Sequence, residues 1–182
     1  MGMLELNDEI SIIDHDPAWA DMYTDESGRI LNVLRARVRD IQHVGSTAVP
    51  GMAAKPVIDI MVATDDIVSE RDAIISELVP LGYVNEPHED DSERLFFRKG
   101  SPRTHHLHVV RFRSWAYWKH IMFRDFLIDH PISAEEYECL KYVLAERYRT
   151  DREVYVKGKE PFVEGVLWRA VKERVIVPSD GG

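Results

Sequence analysis

The chain has 182 residues, with 32 acidic against 23 basic side chains and a net charge of −9 at neutral pH. That length fits one domain with a sizeable core, and the acidic balance argues against nucleic acid as the main partner, because a phosphate backbone needs an opposing field. Cys139 is the single cysteine, which excludes an internal disulfide; no run approaches the ~20 apolar residues of a membrane span; and the first nine residues lack the basic-then-apolar pattern of a signal peptide. A cytoplasmic, unprocessed protein is expected.

Residues 9–14, with Ile10, Ile12 and Ile13, read as a short β-like run. Asp16-Pro17 then supplies an N-cap and a first-turn proline for a helix to about Arg37, whose core face is Trp19, Met22, Tyr23, Ile30, Leu31, Leu34 and Val38. A strand-loop-strand unit spans residues 41–63. A helix from Asp65 or Asp66 to Val79 follows, and Gly82 is the expected left-handed stop before the strand around Tyr83 and Val84. Residues 85–93 are an acidic loop, including Glu86, Glu89, Asp90, Asp91 and Glu93, read as a solvated surface rather than a metal cluster.

Residues 95–100 and 105–110 are two strands joined as a hairpin. From Ser114 a helix is expected with Trp115, Trp118, Ile121, Met122, Phe126 and Leu127 in the core. Ser133 and Glu136 form the pattern of a capping box opening a helix to about Tyr148. Residues 151–159 are read as irregular or as a helical extension, and Pro161 as the start of the last helix, to about Arg174, before a frayed tail from Pro178.

The chemistry concentrates in residues 41–62. Gly45-Ser46 after a short extended segment presents backbone N–H groups and a hydroxyl to an anion, a phosphate cradle in outline. Pro50-Gly51 is a turn signal able to fold Lys55 back toward Ser46 as a phosphate counter-charge, against the alternative of an ordinary exposed lysine. Asp59 interrupts the apolar run of residues 57–62, and an ionised carboxylate there needs a cation, a set of donors or the end of the strand. His106 and His108 share one strand face, and beside Asp59 they make a two-histidine, one-carboxylate set that suits Mn, Fe or Zn better than Mg. His43 is a fourth candidate for that pocket. Lys141 either points into the cleft or reaches solvent.

The wording of residues 43–62 resembles the GrpB family, a branch of the nucleotidyltransferase superfamily. Further matches to that family are Leu81-Gly82-Tyr83, His106-Leu107-His108, residues 123–127, His130-Pro131, Tyr137 with Lys141, and Tyr155 with Lys159. The resemblance implies a single α+β domain over 1–182, with its core at about 9–175. It implies a mixed sheet of about five strands, helices packed on one side, and a C-terminal helical segment closing one edge of a cleft. It also implies Asp59, His106 and His108 as catalytic and metal-binding residues, with a divalent Mn, Zn or Mg ion as cofactor. Gly45, Ser46, Lys55, Arg124 and Lys159 are then the nucleotide or phosphate ligands.

One departure stands out. The superfamily pairs two carboxylates two positions apart, and two positions after Asp59 this chain has Met61, whose thioether is no ligand for Mg²⁺. The implied function is binding of a nucleotide or phosphorylated metabolite with metal-dependent nucleotidyl or phosphoryl transfer. The alternative is a non-catalytic binding module that has lost the second acid, in keeping with GrpB domains fused to dephospho-coenzyme-A kinase. A third reading makes Asp59 and the histidines a buried hydrogen-bonded network without a ligand.

Overall fold

The computed structural model describes residues 9–87 and 92–176. Glu89, Asp90 and Asp91 of the acidic loop and the tail from Pro178 lie outside the described residues. Five strands, β1 (Asp40–Val44), β2 (Ile58–Thr64), β3 (Tyr83–Asn85), β4 (Arg94–Lys99) and β5 (His105–Arg111), form one sheet in the order β1-β2-β5-β4-β3. Only β2 and β5 are parallel; the other neighbours are antiparallel. Among the described residues the α-helices are α1 (Ala18–Leu34), α2 (Arg71–Leu78), α3 (Trp115–Asp129), α4 (Pro131–Arg147) and α5 (Arg152–Ile176). The α+β architecture expected from the sequence is what forms.

Alternation along the strands gives the sheet two chemically distinct faces. Ile58, Ile60 and Val62 of β2 and Leu107 and Val109 of β5 bury themselves with Trp19, Ile30 and Leu34 of α1 and Ile74 and Leu78 of α2. On the other face, Met61, Ala63, Val44 and Val110 pack against Tyr117 and Ile121 of α3. The rest of that face, carrying Asp59, His106, His108 and Phe96, forms the floor of a cleft, with the His108 ring 4.8 Å from His120 of α3. Helices α3, α4 and α5 pack on one another through Phe126, Leu127, Tyr137 and Val166, and α4 and α5 wall that cleft with Lys141, Arg152, Tyr155 and Lys159.

Several local expectations are overridden by packing. The run at residues 9–14 contributes only a clasp, with Ile13 bridged to Ala54 and Ile10 N–H bonded to the Arg149 carbonyl. In place of a helix from Asp65, Asp66 accepts from the N–H groups of Val68 and Ser69, a local turn that delays α2 to Arg71. Trp115 and Trp118 are 58% and 37% exposed, because the buried stripe of α3 runs through Tyr117 and Ile121 instead. Ser133 is no cap: α4 begins at Pro131, and the buried Ser133 hydroxyl accepts from Arg169.

Pro161 sits inside α5 rather than at its start. Tyr155, Phe162, Val166 and Ala170 keep helical spacing across it, so burial of that stripe carries the helix through the lost hydrogen bond. Gly158 permits the close crossing, since a Cβ there would lie 2.6 Å from Leu144 Cδ2 on α4.

Candidate functional site

Register places the central residues. Asp59 on β2 is directly opposite His106 on parallel β5, and His108 is two positions on along the same face. His106 Nδ1 lies 2.9 Å from Asp59 Oδ1, and His108 Nε2 lies 3.9 Å from the same oxygen. Burial opposes ionisation of Asp59, yet the two histidines outweigh it and hold the carboxyl well below its usual range. An ionised Asp59 accepts from Nδ1–H of His106 and so fixes that tautomer, turning Nε2 toward Arg152, whose Nη2 is 3.5 Å away.

Gly45 is set by this carboxylate as much as by its own turn. Its φ is 71°, and a Cβ there would stand 2.5 Å from Asp59 Oδ2. The glycine therefore lets β1 and the short helical turn at Ser46–Ala48 close against the acid, and Ser46 enters the cleft wall.

The cleft has a volume of about 420 Å³. Among the described residues six basic side chains line it, Lys55, Arg94, Arg103, Lys141, Arg152 and Lys159, and two carboxylates, Asp59 and Glu86. In a chain of net charge −9 this is a concentrated positive field. Tyr155, 1% exposed, stands between two of the cations, with Lys55 Nζ 5.1 Å and Lys159 Nζ 4.6 Å from its ring centre. Burial, with repulsion from Arg152 and Lys159, lowers Lys55 to about 7. Burial also lowers Lys159, helped by Arg152 against the pull of Asp59. Lys141 is 2% exposed, donates to the Ala53 carbonyl and is lowered by burial to about 7.

Not every expected ligand reaches this cleft. Ser46, Lys55, Asp59, His106, His108 and Lys159 line it together. His43 does not: its ring stacks on Tyr23 of α1 at 4.8 Å, on the sealed side of the sheet, and Nε2 pairs with Thr47 Oγ1 at 3.0 Å. Burial lowers His43 to about 4, so it is neutral. Arg124 is committed elsewhere. It donates to Gln42 Oε1, the His43 carbonyl and Asp125, which ties α3 to β1 and leaves it off the cleft wall.

The residues fit an anion better than a resident metal ion. Among the described residues no group of three or more His, Cys, Asp or Glu side chains is arranged to hold one. The expected Asp59, His106 and His108 set is instead joined by a direct hydrogen bond, and Met61, at the second acid's position, is completely buried against α3. Surrounding cations raise the cost of a further positive charge. His108 Nδ1 and His120 Nε2 are buried without a hydrogen-bond partner, their rings 4.8 Å apart.

Arg94, Phe96, Arg103 and Arg152 escaped the sequence reading. Phe96 is opposite His108 in the β4–β5 ladder, and Arg94 is opposite Val110 on the same face, so alternation along β4 was a usable signal. Arg103 lies in the hairpin loop and Arg152 at the start of α5, and both are brought in only by tertiary packing.

Among the described residues no helix is long and apolar enough to cross a membrane. A UPF0157 protein of Pseudomonas aeruginosa is 38% identical over 170 residues, covering 91% of this chain and 69% of that protein. The glutamate-rich protein GrpB of Alkalihalophilus pseudofirmus is 33% identical, covering 87% and 94%. A dephospho-CoA kinase of Mycolicibacterium paratuberculosis is 26% identical over 191 residues, 88% of this chain but only 46% of that protein. The crystal structure of the conserved protein GrpB from Enterococcus faecalis superposes with a TM-score of 0.82 at 30% identity, covering 90% of this chain and 99% of that one. The GrpB protein profile matches residues 9–169, and with relatives of this identity along most of their length the chain belongs to the GrpB family.

Proposed function

We propose that the cleft binds a phosphorylated small molecule, with nucleotides and coenzyme-like phosphate esters as the foremost classes. The observation that carries this reading is the convergence of six basic side chains on one cleft of an acidic protein. Phosphate supplies the charge and the several acceptor oxygens that Arg103, Arg152, Lys55, Lys159 and the Ser46 hydroxyl can satisfy together. Phe96, Tyr155 and Val57, which line the cleft, give the organic part of such a ligand an apolar wall. The family relationship to a dephospho-CoA kinase is in keeping with a nucleotide or coenzyme ligand.

Within that reading His106 is a proton carrier for nucleotidyl or phosphoryl transfer. Asp59 holds Nδ1–H, so Nε2 is the atom able to take a proton from an attacking hydroxyl, while the cations stabilise charge on the phosphate oxygens. The second reading, a binding module without turnover, is favoured by one observation. Met61 packs in the core where the superfamily's second metal-binding acid would stand.

The test is calorimetric titration with ATP, alone and with Mg²⁺, Mn²⁺ or Zn²⁺, on wild type and on Arg152→Ala, followed by assay of pyrophosphate and phosphate release. Binding that weakens at least tenfold in the variant supports the anion site; release abolished by His106→Gln supports transfer. Binding without release selects the module, and no binding under any condition overturns the proposal. Affinity should also fall as pH rises above about 7, the value of free Lys55 and Lys141, because the complex must take up the protons those lysines have shed.

A further inference from the structure

The cleft has a neighbour. A smaller cavity of about 110 Å³ is lined by Glu9, Ile10, Ser11, Pro56 and Pro102, and it shares Lys55, Arg103 and Arg152 with the main cleft. These three cations therefore border both chambers. The larger chamber holds the aromatic side chains Phe96 and Tyr155, the Asp59–His106 pair and Lys159. Among the described residues the smaller has no aromatic lining, and its volume corresponds to about three or four waters, room for a phosphate group. Its one carboxylate, Glu9, is engaged by Arg149 through Nε at 3.0 Å and Nη2 at 2.8 Å, which offsets its repulsion of an anion.

From this arrangement we infer that the ligand is a polyphosphate ester whose chain runs past Lys55, Arg103 and Arg152, with its organic part in the larger chamber and its terminal phosphate in the smaller. This rests on the anion-binding reading of the cleft and narrows it, because a monophosphate leaves the smaller chamber unused. The three shared cations fit such a chain chemically. Consecutive phosphates carry charge at each unit, and two guanidinium groups with one ammonium offer several donors to successive oxygens. The clasp that bridges Ile13 to Ala54 and bonds Ile10 to Arg149 fixes residues 9–13 over the chamber, so the subsite is built from backbone already ordered.

The experiment compares AMP, ADP and ATP by calorimetry on wild type and on Ser11→Phe, which adds bulk at an exposed position that lines the smaller chamber and not the main cleft. Thermal melting establishes that the variant is folded. The expected result is a preference for ATP over AMP of more than tenfold in wild type. In Ser11→Phe this preference should shrink to within about threefold while AMP affinity is unchanged, the gain per phosphate being that of lost charge-assisted hydrogen bonds. Equal wild-type affinities for AMP and ATP would overturn this inference and leave anion binding standing, as would a variant that keeps the full preference. Absence of binding by all three nucleotides overturns both.

Discussion

The two faces of the sheet are made by the same strands yet have opposite characters. Facing α1 and α2, Ile58, Ile60, Leu107 and Val109 are completely buried, and the charged intruder Glu26 is met by Lys99 at 2.6 Å. Facing the cleft, the alternate residues Asp59, His106 and His108 remain between 13% and 28% exposed. The difference teaches that a strand pair can carry reactive groups at full density while its other side supplies the hydrophobic stability, since a period of two separates the tasks residue by residue.

The sharpest way to break the comparison is to cut the sealed face. Leu107→Ala removes side-chain volume from a completely buried site and should cost about 2–5 kcal/mol in denaturant unfolding, while ligand affinity of the folded fraction is unchanged. A smaller loss comes from the open face. Gly45→Ala puts a Cβ on Asp59 Oδ2 at a positive φ and should cost about 1–3 kcal/mol, displacing the carboxylate and shifting the His106 ring signals in NMR spectra.

Next in size is a pH effect. Lys141 has a folded-state value of about 7 against an ordinary 10.5, so between these limits the unfolded chain holds more protons and stability rises with pH. Each such lysine contributes a slope of at most about 1.4 kcal/mol per pH unit, and Lys141→Met should flatten the profile by one lysine's share. The acid limb has the opposite cause: the stability supplied by Asp59 is present above 3.8 and lost as pH falls through its lower folded value, so Asp59→Asn should lose less stability on acidification. At the small end, Cys139→Ser changes an exposed residue away from both faces and should alter unfolding by less than about 0.5 kcal/mol.

Much of the site was legible because its signals are local. Gly45-Ser46, Lys55 and the alternation of His106 with His108 are properties of a few consecutive residues, and Gly82 does adopt the left-handed stop expected of it, at φ 84°. Arg124 and His43 misled for a shared reason. Each has chemistry suited to a cleft, but the face a side chain presents depends on partners distant in sequence, here Gln42 for Arg124 and Tyr23 for His43. Ser133 and Pro161 carried correct terminus signals that burial of α4 and α5 overrode.

By itself, then, the sequence determined the α+β class, the family, the two-faced strands and several of the polar residues that line the cleft. Only the tertiary structure decided which of them meet. Parallel pairing of β2 with β5 joins Asp59 to His106 across 47 residues, α3 closes the sheet over Met61, and α5 delivers Arg152, Tyr155 and Lys159 to the cleft wall. The physical reason is that side-chain periodicity is fixed within one element, whereas the choice of which faces are covered follows from burying the most apolar surface across the whole chain.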